Sequence, residues 1–114
     1  MLITDASNLN TLVDSVHDLW FDIDQVERDF SAGVVTILLY TEPDDLRRNQ
    51  PPCSMLRISS VDCLLIRDTE HVGYYDIDKI DFEPVARVLT ITGCIPIMVK
   101  LRIAKLELEL RSPL

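Results

Sequence analysis

Apolar and polar positions alternate with a period of two through most of this chain, the pattern of strands with one buried face. Val34–Tyr40, Ala86–Thr92, Met55–Ile66 and Ile97–Leu110 are rich in Val, Ile, Thr and Leu and read as strands. In the last of these, Ile97, Val99, Leu101 and Ile103 share one face, and Leu106, Leu108 and Leu110 then take the other parity. The switch falls at Ala104-Lys105, and a matching one falls at Ser59-Ser60. A one-residue parity change predicts a β-bulge or a sharp bend. Phe21 and Ile23 give way to Val26 in the same manner. Near the N-terminus the period changes. Leu9, Leu12, Val13 and Val16 stand at i, i+3, i+4 and i+7, which predicts an amphipathic helix over 7–18, capped by Asp5 or Ser7.

The strand pattern occurs twice. Shifting the chain by 54 positions lays residues 17–37 on 71–91 without a gap, with eight identities in twenty-one: His17/His71, Asp22/Asp76, Ile23/Ile77, Asp24/Asp78, Ala32/Ala86, Val34/Val88, Thr36/Thr90 and Ile37/Ile91. Leu-Arg-Ile at 56–58 then meets Leu-Arg-Ile at 101–103. The two units span approximately 17–66 and 71–111, with the helix outside them. Two units are too few for a solenoid and suit one domain over 1–114. The expected class is α+β, mainly β: the helix plus about six antiparallel strands from two tandem three-strand repeats, in a bent sheet or barrel-like domain. Ser31-Ala32-Gly33 is read as a hairpin turn, and the polar, proline-rich Thr41–Pro52 as a loop that only the first unit carries.

Composition narrows the function classes. The formal net charge is −8, and seven acids against one arginine fall within residues 1–33. Such a surface repels phosphate, so nucleic acid is excluded as an expected partner, while a basic protein partner is compatible. No apolar run reaches the roughly 18 residues of a membrane helix, and the N-terminus has no signal-type segment. Three cysteines without Cys-x-x-Cys spacing indicate neither a disulfide framework nor a zinc site, and a cytoplasmic protein is expected.

Two groups of residues could carry chemistry. The duplicated set His17, Asp22, Asp24 and His71, Asp76, Asp78 places two carboxylates on one face of a strand, beside an imidazole. Carboxylates suit a hard divalent metal such as Mg²⁺, Mn²⁺ or Ca²⁺, so this set is the candidate metal or small-ligand site. The same aspartates could instead bond nearby backbone N–H groups and shape the bends. The second group is Asp44, Asp45, Arg47 and Arg48 in the long loop, where adjacent arginines could clamp a phosphate or carboxylate. Cys63 aligns with Leu108 and is expected on an apolar face. No glycine-rich phosphate loop, nucleophile elbow or zinc-protease motif is present, so the expectation leans away from an enzyme. The sequence favours a small acidic protein-binding module without catalysis or cofactor, an inhibitor or immunity-like protein for a basic partner being one version. Self-association through the long final strand is another route. A metal- or ligand-binding domain using the duplicated set is the alternative.

Overall fold

A computed structural model describes residues 1–112. The helix forms where the apolar stripe predicts it. Asp5 accepts the N–H of Ser7 at 2.9 Å and starts a single 3₁₀ turn, Ala6–Asn8, which leads into α1, Leu9–Val16. Leu9, Leu12 and Val16 are its buried residues. It ends at His17, and Asp18 follows in the left-handed region at φ 67°.

The described residues form eleven strands: β1 (Leu2–Ile3), β2 (Trp20–Asp22), β3 (Glu27–Asp29), β4 (Val34–Leu39), β5 (Ser54–Ile58), β6 (Val61–Arg67), β7 (Tyr74–Asp76), β8 (Lys79–Glu83), β9 (Val88–Thr92), β10 (Met98–Ile103) and β11 (Leu108–Arg111). The fold is mostly antiparallel β with a short N-terminal helix, and the expected count of six strands is corrected to eleven. Each parity switch is a place where a strand ends. Residues 55–66 are two strands, β5 and β6, separated by Ser59-Ser60, with Ser60 at φ 59°. Residues 97–110 divide at Ala104-Lys105 in the same way. After Asp22 a 3₁₀ turn, Ile23–Gln25, separates β2 from β3.

The breaks let strands change sheet. One sheet runs β1-β11-β5-β4-β3 and the other β6-β10-β9-β8. Thus β6 leaves β5 to join β10, and β11 leaves β10 to join β5. The crossing segments bond to each other: Ser59 N–H to Glu107 O at 3.1 Å and Ala104 N–H to Ser60 O at 2.9 Å. A third, two-stranded sheet pairs β2 with β7, the aligned blocks of the two units. Its register is Trp20↔Asp76, Phe21↔Tyr75 and Asp22↔Tyr74, symmetric about the Phe21–Tyr75 pair. Those two rings are fully buried with centroids 6.1 Å apart, a tilted aromatic contact that adds to their area burial.

The inward-facing alternate residues make one core. Val35, Ile37 and Leu39 of β4, Leu56 and Ile58 of β5, and Leu108 of β11 come from the first sheet. Leu89 and Ile91 of β9 and Val99, Leu101 and Ile103 of β10 come from the second, and α1 adds its stripe. The barrel is not closed: β1, β3, β6 and β8 end their sheets. Each sheet gains one strand from the other half of the chain, β11 in the first and β6 in the second.

The hairpin turns match between units. Gly33 before β4 has φ +69°, and Arg87, its counterpart 54 residues on, has φ 56°. Asp29 holds the first turn by accepting from Ser31 Oγ at 2.7 Å and Ala32 N–H at 3.1 Å, and Glu83 accepts from Ala86 N–H in the second. The segment read as a loop between Thr41 and Pro52 contains a short helix, α2, Pro43–Arg47. Pro43 opens it with a fixed φ and no wasted donor, and Asp45 accepts from Glu42 N–H at 3.3 Å.

Candidate functional site

Pairing of β2 with β7 brings the two His–Asp blocks side by side, and the geometry then separates their members. His17, at the end of α1, reaches into the other unit. Its Nε2 lies 3.2 Å from Asp78 Oδ1, and its Nδ1 lies 3.2 Å from Asp18 Oδ2. The hydrogen bond to Asp78, with the charge of Asp18, raises the imidazole pKa above 6.5. His71 is exposed in a turn at φ 54°, with its backbone N–H on Asp68 Oδ1 at 3.1 Å. Asp68 also accepts from the Tyr75 hydroxyl.

Asp22 and Asp76 occupy matching positions with unequal environments. Asp22 is half-buried and accepts one backbone N–H, that of Asp24, at 2.9 Å, which starts the 3₁₀ turn. Asp24 itself is exposed. Asp76 is the one buried charged side chain among the described residues, 5% exposed. It accepts from the N–H of Cys94 and of Ile95, each at 3.1 Å. Burial alone would push its carboxyl up, but the Ile95 and Cys94 N–H groups outweigh that and hold it below the usual 3.8. The turn it anchors sits close. A Cβ at Gly93 would lie 2.3 Å from the Asp76 carbonyl oxygen, so only glycine fits there.

The set therefore divides in its contacts. His17, Asp18 and Asp78 come together, while Asp22 and Asp76 each fix a turn. Among the described residues no group of three or more His, Cys, Asp or Glu is arranged to hold a metal ion. Cys94 lies beside Asp76 and Asp78, whose carboxylates push its thiol pKa up, away from a reactive thiolate. In the long loop, Asp44 and Arg47 pair along α2 at 3.3 Å, both exposed. Asp45 is used in the helix start, and Arg48 forms its end.

A different feature escaped the sequence pattern. The final strand β11 is not a free edge: β5 lies on one side and β1 on the other, with Leu2 opposite Glu109 and Ile3 opposite Leu108. The corresponding strand of the other sheet, β6, has among the described residues β10 on one side and no strand on the other. It is seven residues long, Val-Asp-Cys-Leu-Leu-Ile-Arg. The pairing of β6 with β10 slips between Arg102 and Ile103, so Ile103 faces Val61, Arg102 faces Cys63, and Asp62 is the extra residue of a β-bulge. The bulge moves Cys63 out of the apolar face where alignment with Leu108 put it. It is exposed, while Leu64 and Ile66 turn inward to pack against the core. Adjacent leucines at 64 and 65 were compatible with either parity, so the sequence held no signal for this edge.

The backbone direction of β6 follows from its neighbours. Ile103 N–H bonds Arg87 O at 2.9 Å, on the β9 side, so odd residues of β10 face β9 and even residues face β6. Their partners Cys63, Leu65 and Arg67 bond toward β10, and the N–H and C=O groups of Leu64 and Ile66 point to the open side. Val61 N–H is already taken by Gly33 O at 2.8 Å, so the open stretch begins after it. Across the outer face the register forms rows: Arg67-Met98-Thr92-Lys79, Leu65-Lys100-Thr90-Asp81 and Cys63-Arg102-Val88-Glu83. Arg67, Lys100 and Arg102 make this edge locally basic on an acidic chain, with Asp62 bonded to Arg102 Nε at 2.6 Å. Leu65 stands among them, 48% exposed.

No described helix is long and apolar enough to cross a membrane. Comparison with protein-family models, with curated proteins and with solved structures finds no match to this chain.

Proposed function

We propose that this chain is a small acidic protein-binding module, without catalysis, that takes its partner by adding a strand to β6. The observation that supports it is the unpaired side of β6, where the N–H and C=O groups of Leu64 and Ile66 have no strand beside them among the described residues. Exposed edges recruit strands, and natural sheets usually blunt them with lysine, proline or a covering segment. The β11 edge is covered by β1, whereas β6 carries an exposed Leu65 at its middle. A partner strand would place alternate apolar residues over Leu64 and Ile66 and polar ones over the outer face.

Arg67, Lys100 and Arg102 favour acidic side chains in that outer row, so the version of this reading in which the partner is a basic enzyme draws no support from this edge. The net charge of −8 acts at longer range, on encounter and solubility. The metal- or ligand-binding alternative draws no support from Asp22 and Asp76, whose oxygens hold backbone N–H groups.

The test is an NMR titration with a short peptide of alternating Leu and Glu. Binding along β6 shifts the amides of Leu64 and Ile66 and slows their exchange, and leaves the β3 and β8 edges unchanged. No change at β6 with about millimolar peptide, where even a weak complex of roughly −4 kcal/mol would be half formed, refutes the proposal.

A further inference from the structure

We infer that the strand β6 accepts is the β6 of a second copy of this chain, giving a twofold dimer. The inference rests on the reading that β6 is open to strand addition, and it names the occupant. In an antiparallel pair made by a twofold axis normal to the sheet, each residue keeps its face. A residue can then meet only residues of its own parity, so the two paired numbers add to an even sum. Both hydrogen-bonding residues on the open side, Leu64 and Ile66, must also meet each other's kind.

The register centred on Leu65 satisfies both conditions. Leu64 pairs with Ile66 of the second copy, and Ile66 with Leu64, which closes four backbone hydrogen bonds. On the inner side these pairs bury leucine against isoleucine twice, and both residues are only half-buried in the single chain. On the outer side Leu65 meets Leu65 across the axis, covering the exposed leucine of each chain. Arg67 falls opposite Cys63 and beside Asp62, whose carboxylate already lies on that face against Arg102. Each end of the interface therefore brings Arg67 of one copy to the Asp62–Arg102 pair of the other. Registers centred on Leu64 or Ile66 fit worse. The first runs into Val61, whose N–H Gly33 already holds, and the second carries Leu64 into the turn at Asp68. In the dimer β6 of one copy does for the other what β1 does for β11, and two four-stranded sheets become one of eight.

A single strand pair buries less than the roughly 1,000 Å² of a stable interface, so the dimer is concentration-dependent. Sedimentation velocity from about 10 μM to about 1 mM, in 0.15 M salt where charge repulsion is screened beyond about 8 Å, reads it directly. The wild type is expected to shift from monomer toward dimer. Leu64→Pro removes an N–H only from the open side, at the cost of the Leu64 side chain's packing against the core, and should stay monomeric. Leu65→Glu sets like charges across the axis and should do the same, and serves if the proline variant does not fold.

The register has its own reading. With Cys53, Cys63 and Cys94 changed to serine, Leu65→Cys should form a disulfide dimer under mild oxidation. A non-hydrogen-bonded antiparallel pair brings Cα atoms to about 4.5 Å, within disulfide range. Asp81→Cys, at the opposite edge of the same row, should not. A wild type that is monomeric at every concentration, or equal cross-linking at 65 and 81, overturns the inference. A monomeric chain whose β6 amides still respond to the Leu–Glu peptide removes the dimer alone and leaves strand addition standing. Failure of both removes both.

Discussion

Asp22 and Asp76 are aligned residues of one type whose loss should cost very different amounts. Asp76→Ala leaves the N–H groups of Cys94 and Ile95 without their acceptor, beside a carboxylate position that is 5% exposed. Hydrogen bonds to a charged partner contribute about 1.5–3 kcal/mol each. Neither N–H is fully buried, so the lower end applies, about 3 kcal/mol for the pair. For a domain of this size that corresponds to a fall of about 12 °C in Tm. Asp22→Ala removes one bond at the start of an exposed 3₁₀ turn, 2.9 Å to Asp24 N–H, a cap worth about 1 kcal/mol. Asp76→Asn keeps one acceptor oxygen but turns an NH₂ toward the other donor, so it falls between the two. Urea and thermal unfolding of the three variants measures this order. Acid supplies a second check. The folded pKa of Asp76 lies below its ordinary 3.8, so its stabilisation is present in full above 3.8 and is lost as pH falls through the lower folded value. The gap between wild type and Asp76→Asn should narrow below pH 3.8. Equal losses at positions 22 and 76, or less than about 1 kcal/mol for Asp76→Ala, would refute the assignment of the Gly93–Ile95 turn to this carboxylate.

Two further outcomes test the fold and its charges. Arg87→Gly should stabilise the chain by about 0.5–1 kcal/mol, because Arg87 holds a left-handed φ of 56° that glycine adopts freely and that Gly33 already supplies in the first unit. A lower urea midpoint would show that the Arg87 side chain contributes more than its backbone costs. The His17 imidazole should titrate above 6.5 by NMR, and Asp78→Asn should bring it down. With a raised folded pKa, the associated stabilisation is full below 6.5 and fades as pH rises through the folded value. A His17 titration unmoved by Asp78→Asn would contradict the 3.2 Å contact.

Local rules set by single residues were legible in the sequence. The stripe Leu9, Leu12, Val16 predicts α1 because a helix face repeats every 3.6 residues. Asp5, expected to cap that helix, caps the 3₁₀ turn before it, and α1 itself starts after Asn8 without a side-chain cap. The alternation in Val34–Leu39 and Val88–Thr92 predicts strands with one buried face, and that face is buried as predicted. The parity changes at Ser59-Ser60 and Ala104-Lys105 located real breaks. They could not say whether a strand bends within its sheet or leaves it, because that depends on which distant strand offers a free ladder. Tertiary structure alone decided that β6 and β11 trade sheets, that Phe21 meets Tyr75, and that His17 finds Asp78 rather than its own Asp22 or Asp24. It also decided the fate of residues the sequence could not separate. Asp22 and Asp76 sit in like motifs, but only Asp76 has the Gly93–Ile95 turn packed over it. Cys63 matches Leu108 by alignment, but one bulged residue at Asp62 turned it to solvent. Periodicity fixes which face a residue shares with its neighbours in the chain; burial, edge exposure and pairing depend on contacts between residues tens of positions apart, and those are set only when the sheets assemble.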